Sequence, residues 1–586
     1  MPYINGQYVV TPQASVIVND NALTAPAVAP GLGLLLIGPA TDGEPQTPIV
    51  LSSPGQAVQA LKGGDLLQGA LLAFSPGAGL QGPGSVTVIR PEAATQGTSA
   101  IKDAAGTATE INLTTTSYGT LANDAKWMVQ AGTTSGYNVT LATDFVGPGG
   151  QTYPPASQAN VGLQAASLYY TGTGTSPTYT VTDTEFTVAA VTSDTGGTIT
   201  FTNTMTIGQL AAQVSQFAGW VMTATDPNPN DLVAPGSAAI PALLDNVSAV
   251  TVGTTQATAT AVTANVAAVV NWINGTGAYF TATRAAGATA LATSSTWTYA
   301  TGGTTPAATT SDWTDAYTVA QSIVGISLVV PVAGGPATPT STPPYQWSDN
   351  DAHCSYMASI GQPRRGYVGD LLGMSLADET TYASGLNSNR TSLVWPGSKG
   401  SDYNGNATTF APYLVACQVA GARAGLPLTG KLTQTAIGSG GLEVALTPAQ
   451  VAQANAGGIA CLAQASNGTI VVSWDRTTWL QSGAYDKVEN LTGLAIDAVT
   501  MDLNQTLQLF VGKPITARTL GHAQTAIYGR LVYWKRQGVV VSTPRLSDVS
   551  LSASGNQITG SASAAFEVPA NYIALTLYAR AYSGAA

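Results

Sequence analysis

Gly31-Leu32-Gly33-Leu34-Leu35-Leu36-Ile37-Gly38-Pro39 is the stretch from which the fold is read. An uninterrupted apolar run between glycine-rich ends suits a central strand buried on both faces, which needs no polar alternation. Downstream, Ser53-Pro54-Gly55-Gln56 supplies an N-cap, a proline at the first helical position and a capping-box glutamine. A helix is predicted from there to Gly63-Gly64, and Asp65 is placed to cap a second one running to Phe74. Ser85 to Arg90 then reads as the next strand. Strand, helices and strand within about 60 residues make an α/β unit.

On the N-terminal side of this unit the chain reads as an extended arm. Tyr8-Val9-Val10 and Ser15-Val16-Ile17-Val18-Asn19 are β-prone runs separated by Pro12, with no partner expected nearby. On the other side the composition changes from about Pro91. Residues 111–310 carry ten charged side chains, of which Lys126 and Arg284 are the only bases, among Thr, Ala, Gly and Val. Alternating runs such as Thr198 to Asn203 favour short antiparallel strands. Amphipathic helices are predicted at Ile207 to Trp220 and Val262 to Ile273, each followed by a strand, Val221 to Thr225 and Tyr279 to Thr283. The two units read as a duplicated module.

Charged and aromatic residues return after Ser311. A helix from Asp312 to Ile323 leads into an apolar strand, Ile326 to Val332; Ser348 to Ile360 reads as helix and Arg365 to Gly369 as strand. Thr447-Pro448-Ala449-Gln450 repeats the capping box, and Ile459 to Gln464 with Thr469 to Trp474 reads as a hairpin across Ser466-Asn467-Gly468. Two long helices are expected, Asp486 to Val511 and Thr516 to Gln537, followed by a strand at Val539-Val540-Val541. Tyr572 to Tyr582 alternates Ile573, Leu575 and Leu577 with polar residues and reads as a terminal strand.

Composition removes most chemistry. In 586 residues, 44% are apolar and 9% charged, with 64 glycines and 33 prolines, which argues against a disordered chain. The net charge of −11 makes generic nucleic-acid binding an expected absence. No apolar run approaches the roughly 20 residues that span a bilayer, so no membrane insertion is expected, and no signal peptide is read at the start. Three scattered cysteines and two histidines offer neither a disulfide framework nor a metal site, and no cofactor is expected.

Each catalytic lead has a plainer reading. Gly425-Leu426-Pro427-Leu428-Thr429-Gly430-Lys431-Leu432 has the phosphate-loop spacing up to the lysine. Leu432, however, stands where a Mg²⁺-binding hydroxyl belongs, and Pro427 removes an N–H from the cradle, so a turn is expected. His353 beside Cys354 reads as a packed or surface histidine, with Asp349 and Asp351 as cap or surface residues, and His522 reads as helix core or helix surface. No Gly-x-Ser-x-Gly elbow is present. The chain is read as a non-enzyme.

Charge placement says more. Residues 511–586 hold seven bases (Lys513, Arg518, Arg530, Lys535, Arg536, Arg545 and Arg580) and two acids (Asp548 and Glu567), a net +5 against −16 for the remainder. An ordinary solvated helix face and a basic surface docking on an acidic partner both fit. A terminal strand without a local partner either folds back on its own sheet or is donated to a neighbouring subunit, and donation that does not close gives a helical polymer.

In the order of its segments the chain resembles the contractile tail sheath proteins of myovirus-type phages and related injection machines. The resemblance rests on the arm Pro12 to Asn19 and on Gly38-Pro39-Ala40-Thr41-Asp42-Gly43, Val50 to Leu61 and Val86-Thr87-Val88-Ile89-Arg90. It continues through Trp313 to Pro331, His353 to Gly369, Pro412 to Gly425, and Leu446 to Val541 with Val472-Ser473-Trp474-Asp475-Arg476-Thr477. It implies a multidomain, mixed α/β (α+β) protein with a discontinuous sheath core. The expected order is an N-terminal arm at 1–25, a first core segment at 26–92 and a β-rich insertion, read as two modules, at 93–310. A second core segment at 311–400, a C-terminal sheath domain at 401–570 and a terminal strand at 571–586 complete it.

The resemblance further implies strand donation between subunits through Val16, Ile17 and Val18 and through Ile573, Leu575 and Leu577. Arg518, Arg530, Lys535 and Arg536 become candidates to face an inner tube. Expected partners are other copies in hexameric rings stacked helically, a tail tube protein, a baseplate and a tail terminator. The resemblance implies a late virion protein, expected to assemble in the host cytoplasm and by contraction to drive the tube through the host envelope for genome ejection. A non-contractile tail tube or fibre-associated protein, and a glycan-binding β-protein, are the alternatives.

Overall fold

A computed structural model describes residues 3–4, 7–8 and 32–570, except 78, 192–195, 203, 226–242, 337, 339 and 341. Its centre is a nine-stranded sheet. In chain order the strands are β1 (Gly33–Ile37), β2 (Ile49–Leu51), β3 (Val86–Ile89), β4 (Ile326–Pro331), β5 (Arg365–Val368), β6 (Thr391–Trp395), β7 (Thr435–Ala436), β8 (Ile459–Gln464) and β9 (Ile470–Val472). Their spatial order is β7-β9-β8-β6-β5-β4-β1-β3-β2. The six from β8 to β3 run parallel, while β2, β9 and β7 are antiparallel additions at the two edges. The pairing of β1 with β4, Leu35 opposite Val329, joins two chain segments almost 300 residues apart.

The apolar run behaves as its composition demands. Alternate residues of β1 face opposite layers, Leu34 and Leu36 into one core and Leu35 and Ile37 into another, all at most 1% exposed. On the first face lie α1 (Pro54–Leu61), α2 (Gly64–Phe74) and α6 (Pro412–Gly425); on the second lie α3 (Thr310–Gln321), α4 (Tyr345–Ser359), α5 (Leu376–Leu386) and α7 (Pro448–Ala456). Helices α2 and α6 touch through glycine: a Cβ on Gly421 would stand 2.3 Å from the Ala73 carbonyl oxygen. The capping box at Thr447 closes as expected, and Thr309 closes another. At Ser53 the side chain accepts from the Gln56 N–H, but the Gln56 side-chain oxygen accepts from the Ser52 N–H instead, so the box expected there is incomplete. Asp65 sits within the first turn of α2 rather than at its cap, which is Gly63, and accepts a 2.9 Å hydrogen bond from Tyr413.

The sheet does not end where a boundary at 400 was expected. Strand β8 pairs in parallel with β6, so residues up to Val472 complete the same sheet. The reason is burial: Ile459 and Cys461 pack with Leu393 and Trp395 beneath α5 and α7.

Between β3 and β4 the chain leaves and returns at one place, where the Thr95 N–H donates to the Thr304 carbonyl at 3.0 Å. The intervening residues form two β modules, each with its own core and, among the described residues, one α-helix, nested rather than in tandem. The outer module combines the sheets Phe280–Arg284/Thr109–Tyr118/Gln96–Lys102 and Ala156–Val161/Tyr137–Thr143/Ala125–Ala131/Thr298–Tyr299 with helix Asn265–Thr276. The inner module spans 164–263 around helix Ile207–Val214. Val262, expected inside a helix, lies in strand Thr260–Thr263. That helix starts later because a distant carboxylate caps it: Asp245 accepts from the Asn265 and Val266 N–H groups at 2.8 and 2.9 Å.

Beyond the sheet stand α8 (Tyr485–Val488), α9 (Asn490–Gln508) and α10 (Ala517–Arg536), then a hairpin of β10 (Val549–Ser554) and β11 (Gln557–Ala562). The single helix expected from Asp486 to Val511 is broken at Glu489, whose backbone is extended (φ −93°, ψ 122°). The carboxylate of Glu489 accepts from Trp474 Nε1 at 2.6 Å and its backbone bridges to Arg476, and these contacts hold it out of the helix. The strand expected at Val539 to Val541 is reduced to one bridge, Val540 with Phe566. Near the start of the chain Gln7–Tyr8 pairs with Tyr3–Ile4, so Tyr8 has the local partner its run was expected to lack.

Candidate functional site

The C-terminal helices meet the sheet through buried charge. Arg365 and Arg390, at the start of β5 and just before β6, both reach Asp497 on α9, at 2.8 and 3.3 Å. Gly493 permits this, since a Cβ there would lie 2.1 Å from Arg365 Nη2. Asp475, 2% exposed, accepts from Tyr367 Oη at 3.1 Å and Asn490 Nδ2 at 2.9 Å. Burial pushes its carboxyl above the usual range, against the pull of Arg423. Arg476 stacks on Trp474, 4.7 Å from its ring centre, and donates to the carbonyls of Thr477, Asn455 and Trp479. The run Val472 to Thr477 is thus a joint between sheet and helices, not a surface motif.

Helix α9 is tied in turn to α10. Asp502 accepts from Arg530 Nε and Trp534 Nε1, both at 2.7 Å, above a core of Ala495, Val499, Ile527 and Leu531. The hairpin packs on this pair through Val549 and, to a lesser extent, Leu551, while Ser550, Ser552 and most of β11 are exposed. Ser554 opposite Gln557 closes a two-residue turn with Gly555 at φ +59°. Among the described residues no third strand pairs with either edge of this hairpin. Beside it an apolar groove of 470 Å³ runs between Leu503, Leu507 and Phe510 of the α9 end, Ile527 of α10, and Leu551 and Ile558. Exposed apolar residues crowd that end: Val511 is 80% exposed and Leu509 64%.

The four basic candidates divide. Arg518 and Arg536 are exposed and, 18 residues or five helical turns apart, share one face of α10. Arg530 is held by Asp502 with its guanidinium 4.4 Å from the centre of the Tyr533 ring, and Lys535 donates to the Val541 carbonyl. Val16, Ile17, Val18, Ile573, Leu575 and Leu577 lie outside the described residues. Sequence reasoning misses the hairpin. Its signal is the alternation Val549, Leu551, Ala553 and Ile558 around Gly555-Asn556, diluted by serine.

The other leads become structural. In the 425–432 loop, buried Arg423 donates to the carbonyls of Pro427 and Gly430, both at 2.6 Å, so the loop turns oxygens inward and offers no anion cradle. His353 is 4% exposed, 2.9 Å from Arg364 Nη1 through Nε2, and packed against Tyr317. Burial, then the Arg364 charge, lowers its pKa to about 4, while burial raises the Cys354 thiol to about 12. Asp351, read as a cap or surface residue, instead accepts hydroxyl bonds from Ser388 and Thr391 and fastens α4 to β6. His522 is exposed on α10. Among the described residues no helix is long and apolar enough to cross a membrane, and no three His, Cys, Asp or Glu side chains gather as for a metal ion.

No family model matches the chain. Over 225 residues it is 25% identical to the tail sheath protein of Bacillus phage SP01, a match covering 38% of this chain and 39% of that relative's length. In structure it is similar to the sheath tail protein of Desulfitobacterium hafniense, with a TM-score of 0.52, 12% identity and 93% of each chain covered. It is similar also to the sheath tail protein Lin1278 of Listeria innocua, with a TM-score of 0.53, 12% identity, and 89% and 88% covered. The chain therefore resembles a phage tail sheath protein over a stretch of its sequence and has, along nearly its whole length, the multidomain mixed α/β fold of the sheath tail proteins.

Proposed function

We propose that this chain is the structural subunit of a contractile tail sheath, a virion protein that assembles in the host cytoplasm. Copies polymerise helically around a tail tube, between a baseplate and a terminator, and contract to drive the tube through the host envelope. The observation that carries the reading is the hairpin β10–β11, a two-stranded sheet above an apolar groove with no third strand on either edge among the described residues, in a chain whose two ends carry β-prone runs. A strand from another copy would complete the ladder with main-chain hydrogen bonds and seat alternate side chains on the apolar floor. Because donor and acceptor lie on different regions of the subunit, the contact is head-to-tail and propagates.

On this reading the work of contraction is stored during assembly in an extended lattice that relaxes to one of lower free energy, and the chain catalyses nothing. The exposed pair Arg518 and Arg536 would meet an acidic tube surface through contacts that salt weakens. Negative-stain microscopy of purified chain tests the proposal. Full-length protein is expected to form long tubular polymers that shorten and widen when triggered, and a chain lacking residues 1–20 is expected to stay a folded monomer. Polymers of unchanged length after triggering would identify a non-contractile filament, and normal polymers from the shortened chain would refute strand donation.

A further inference from the structure

The loop after β1, Gly38-Pro39-Ala40-Thr41-Asp42-Gly43, belongs to the resemblance read from the sequence, yet strand donation leaves it without a role. In the folded chain it meets the insertion. Asp42, 6% exposed, accepts from the Tyr118 N–H through Oδ1 at 2.8 Å and pairs with Lys62 through Oδ2 at 2.7 Å. Lys62, the C-cap of α1, donates in turn to Ser117 Oγ at 2.8 Å and lies 5.9 Å from the centre of the Tyr153 ring. Gly119 follows with φ +83°, and a Cβ there would stand 3.3 Å from the Thr41 carbonyl oxygen. Just before Tyr153, the tip of the hairpin Val146–Gly147/Gln151–Thr152 touches the core hairpin Ser398–Ser401/Ala407–Phe410: the Gly149 N–H donates to Asn404 Oδ1 at 3.1 Å. That core loop is itself braced. Asp402 accepts from the Asn404 and Asn406 N–H groups at 2.9 and 2.8 Å, and the Tyr403 N–H donates to Gln68 Oε1 of α2 at 2.8 Å.

We propose that this loop is the mount of the insertion, with Asp42 and Lys62 as positioning residues that fix the insertion's tilt, so that core and insertion turn as one body. A stem of two chain crossings, at Thr95 and Thr304, would by itself leave the insertion free to swing. The contacts remove that freedom because they run outward from the stem without a break. Thr305 stands against Gly119; Tyr118 and Ser117 bind Asp42 and Lys62; Lys62 reaches Tyr153, and the adjoining tip reaches Asn404. Asp42 is the centre of the joint, since one carboxylate serves a lysine of the core and a backbone N–H of the insertion. It cannot release either partner without leaving a polar group unpaired in a confined space, so the inner part of the joint yields as a unit. The tip contact is exposed and adds leverage rather than strength. The inference concerns the single subunit and stands apart from the sheath reading. Under that reading, the insertion is carried through any rotation of the core instead of trailing behind it.

A dye on the insertion tests this without polymerisation. The three native cysteines, Cys354, Cys417 and Cys461, are buried, so Ser135→Cys at an exposed turn of the outer module supplies the reactive thiol. Time-resolved fluorescence anisotropy of the full chain at high dilution then shows whether the insertion swings by itself. Beyond the dye's own fast motion, the decay is expected to follow the tumbling of the whole molecule. Asp42→Ala with Asn404→Ala should add a segmental decay severalfold faster, while the insertion's strands keep their hydrogen-exchange protection. Asp103→Ala is the control: it removes a carboxylate that holds a turn at the opposite end of strand Thr109–Tyr118, and should add no such decay. A segmental decay already present before Asp42 is changed would overturn the proposal. So would a double variant that tumbles like the parent, or a control that swings as much as the double variant. Should Asp42→Ala prevent folding, Lys62→Met with Asn404→Ala, at a half-buried and an exposed position, carries the same expectation and the same refutation.

Discussion

At the α9 junction the core sheet buries Arg365, Arg423, Asp475 and Asp497, each under 10% exposed. The insertion has Lys126 and Arg284 as its two bases from 111 to 310 and spends both locally, on Asp144 and on the carbonyls of Leu244 and Ala288. The insertion is held by β ladders around two compact apolar cores, each complete within its own module. The junction is held by charges that fail together if one is removed, because an unpaired buried ion is costly. A region of the first kind can vary without disturbing its host. One of the second kind fixes an orientation between two bodies, as a machine that moves subunits against each other requires.

The comparison can be broken first at Asp497. Asp497→Ala strands Arg365 and Arg390 and is expected to cost about 3–5 kcal/mol in chemical denaturation, with α9 amides losing hydrogen-exchange protection while the insertion keeps its own. A loss below about 1 kcal/mol would show that the junction is held by packing instead. Next comes pH. The folded His353 titrates near 4 and an unfolded histidine near 6.5, so between these values only the unfolded chain takes up the proton. Stability is therefore expected to fall by about 3 kcal/mol as pH drops from 6.5 to 4, with no further contribution below that. His353→Gln should flatten this stretch of the denaturation profile.

A smaller effect is expected inside the insertion. Asp245→Ala removes a helix cap and should cost about 1–2 kcal/mol, seen as faster exchange at Asn265 and Val266 with the core unaffected. Propagation of that loss into the core sheet would erase the distinction between the two regions. The smallest effect on stability belongs to Arg518→Ala with Arg536→Ala, within about 0.5 kcal/mol in melting experiments, because both side chains are exposed. Their effect should appear only as weaker, less salt-dependent association with an acidic partner surface.

Much of the local structure was legible along the chain. Gly33 to Ile37 had to be a buried strand because it offers apolar side chains to both faces, and the caps at Ser53 and Thr447 are bonds between residues three apart. The contents of 511–586 also told of a basic end, though not that Asp502 would engage Arg530. Partners many residues away decided what periodicity misread. Asp245 sets the start of the helix at Asn265, Trp474 and Arg476 break the long helix at Glu489, and Leu393 draws Ile459 into the central sheet. The hairpin's fold was written in alternation and a Gly-Asn turn, but its standing as a two-stranded sheet among the described residues was not, since that depends on which distant strands pair with it.

By itself, then, the sequence determined the elements whose hydrogen bonds and apolar faces are settled within a few residues, together with the scarcity of groups able to do chemistry. The tertiary structure alone decided that residues 33–89 and 326–472 form one sheet and that the insertion's modules are nested. It alone made Asp497 the clasp between sheet and helices and set an apolar groove beside the hairpin. Local bonds depend on spacing, which a sequence displays; burial and unpaired edges depend on which distant surfaces meet, which only the folded chain reveals.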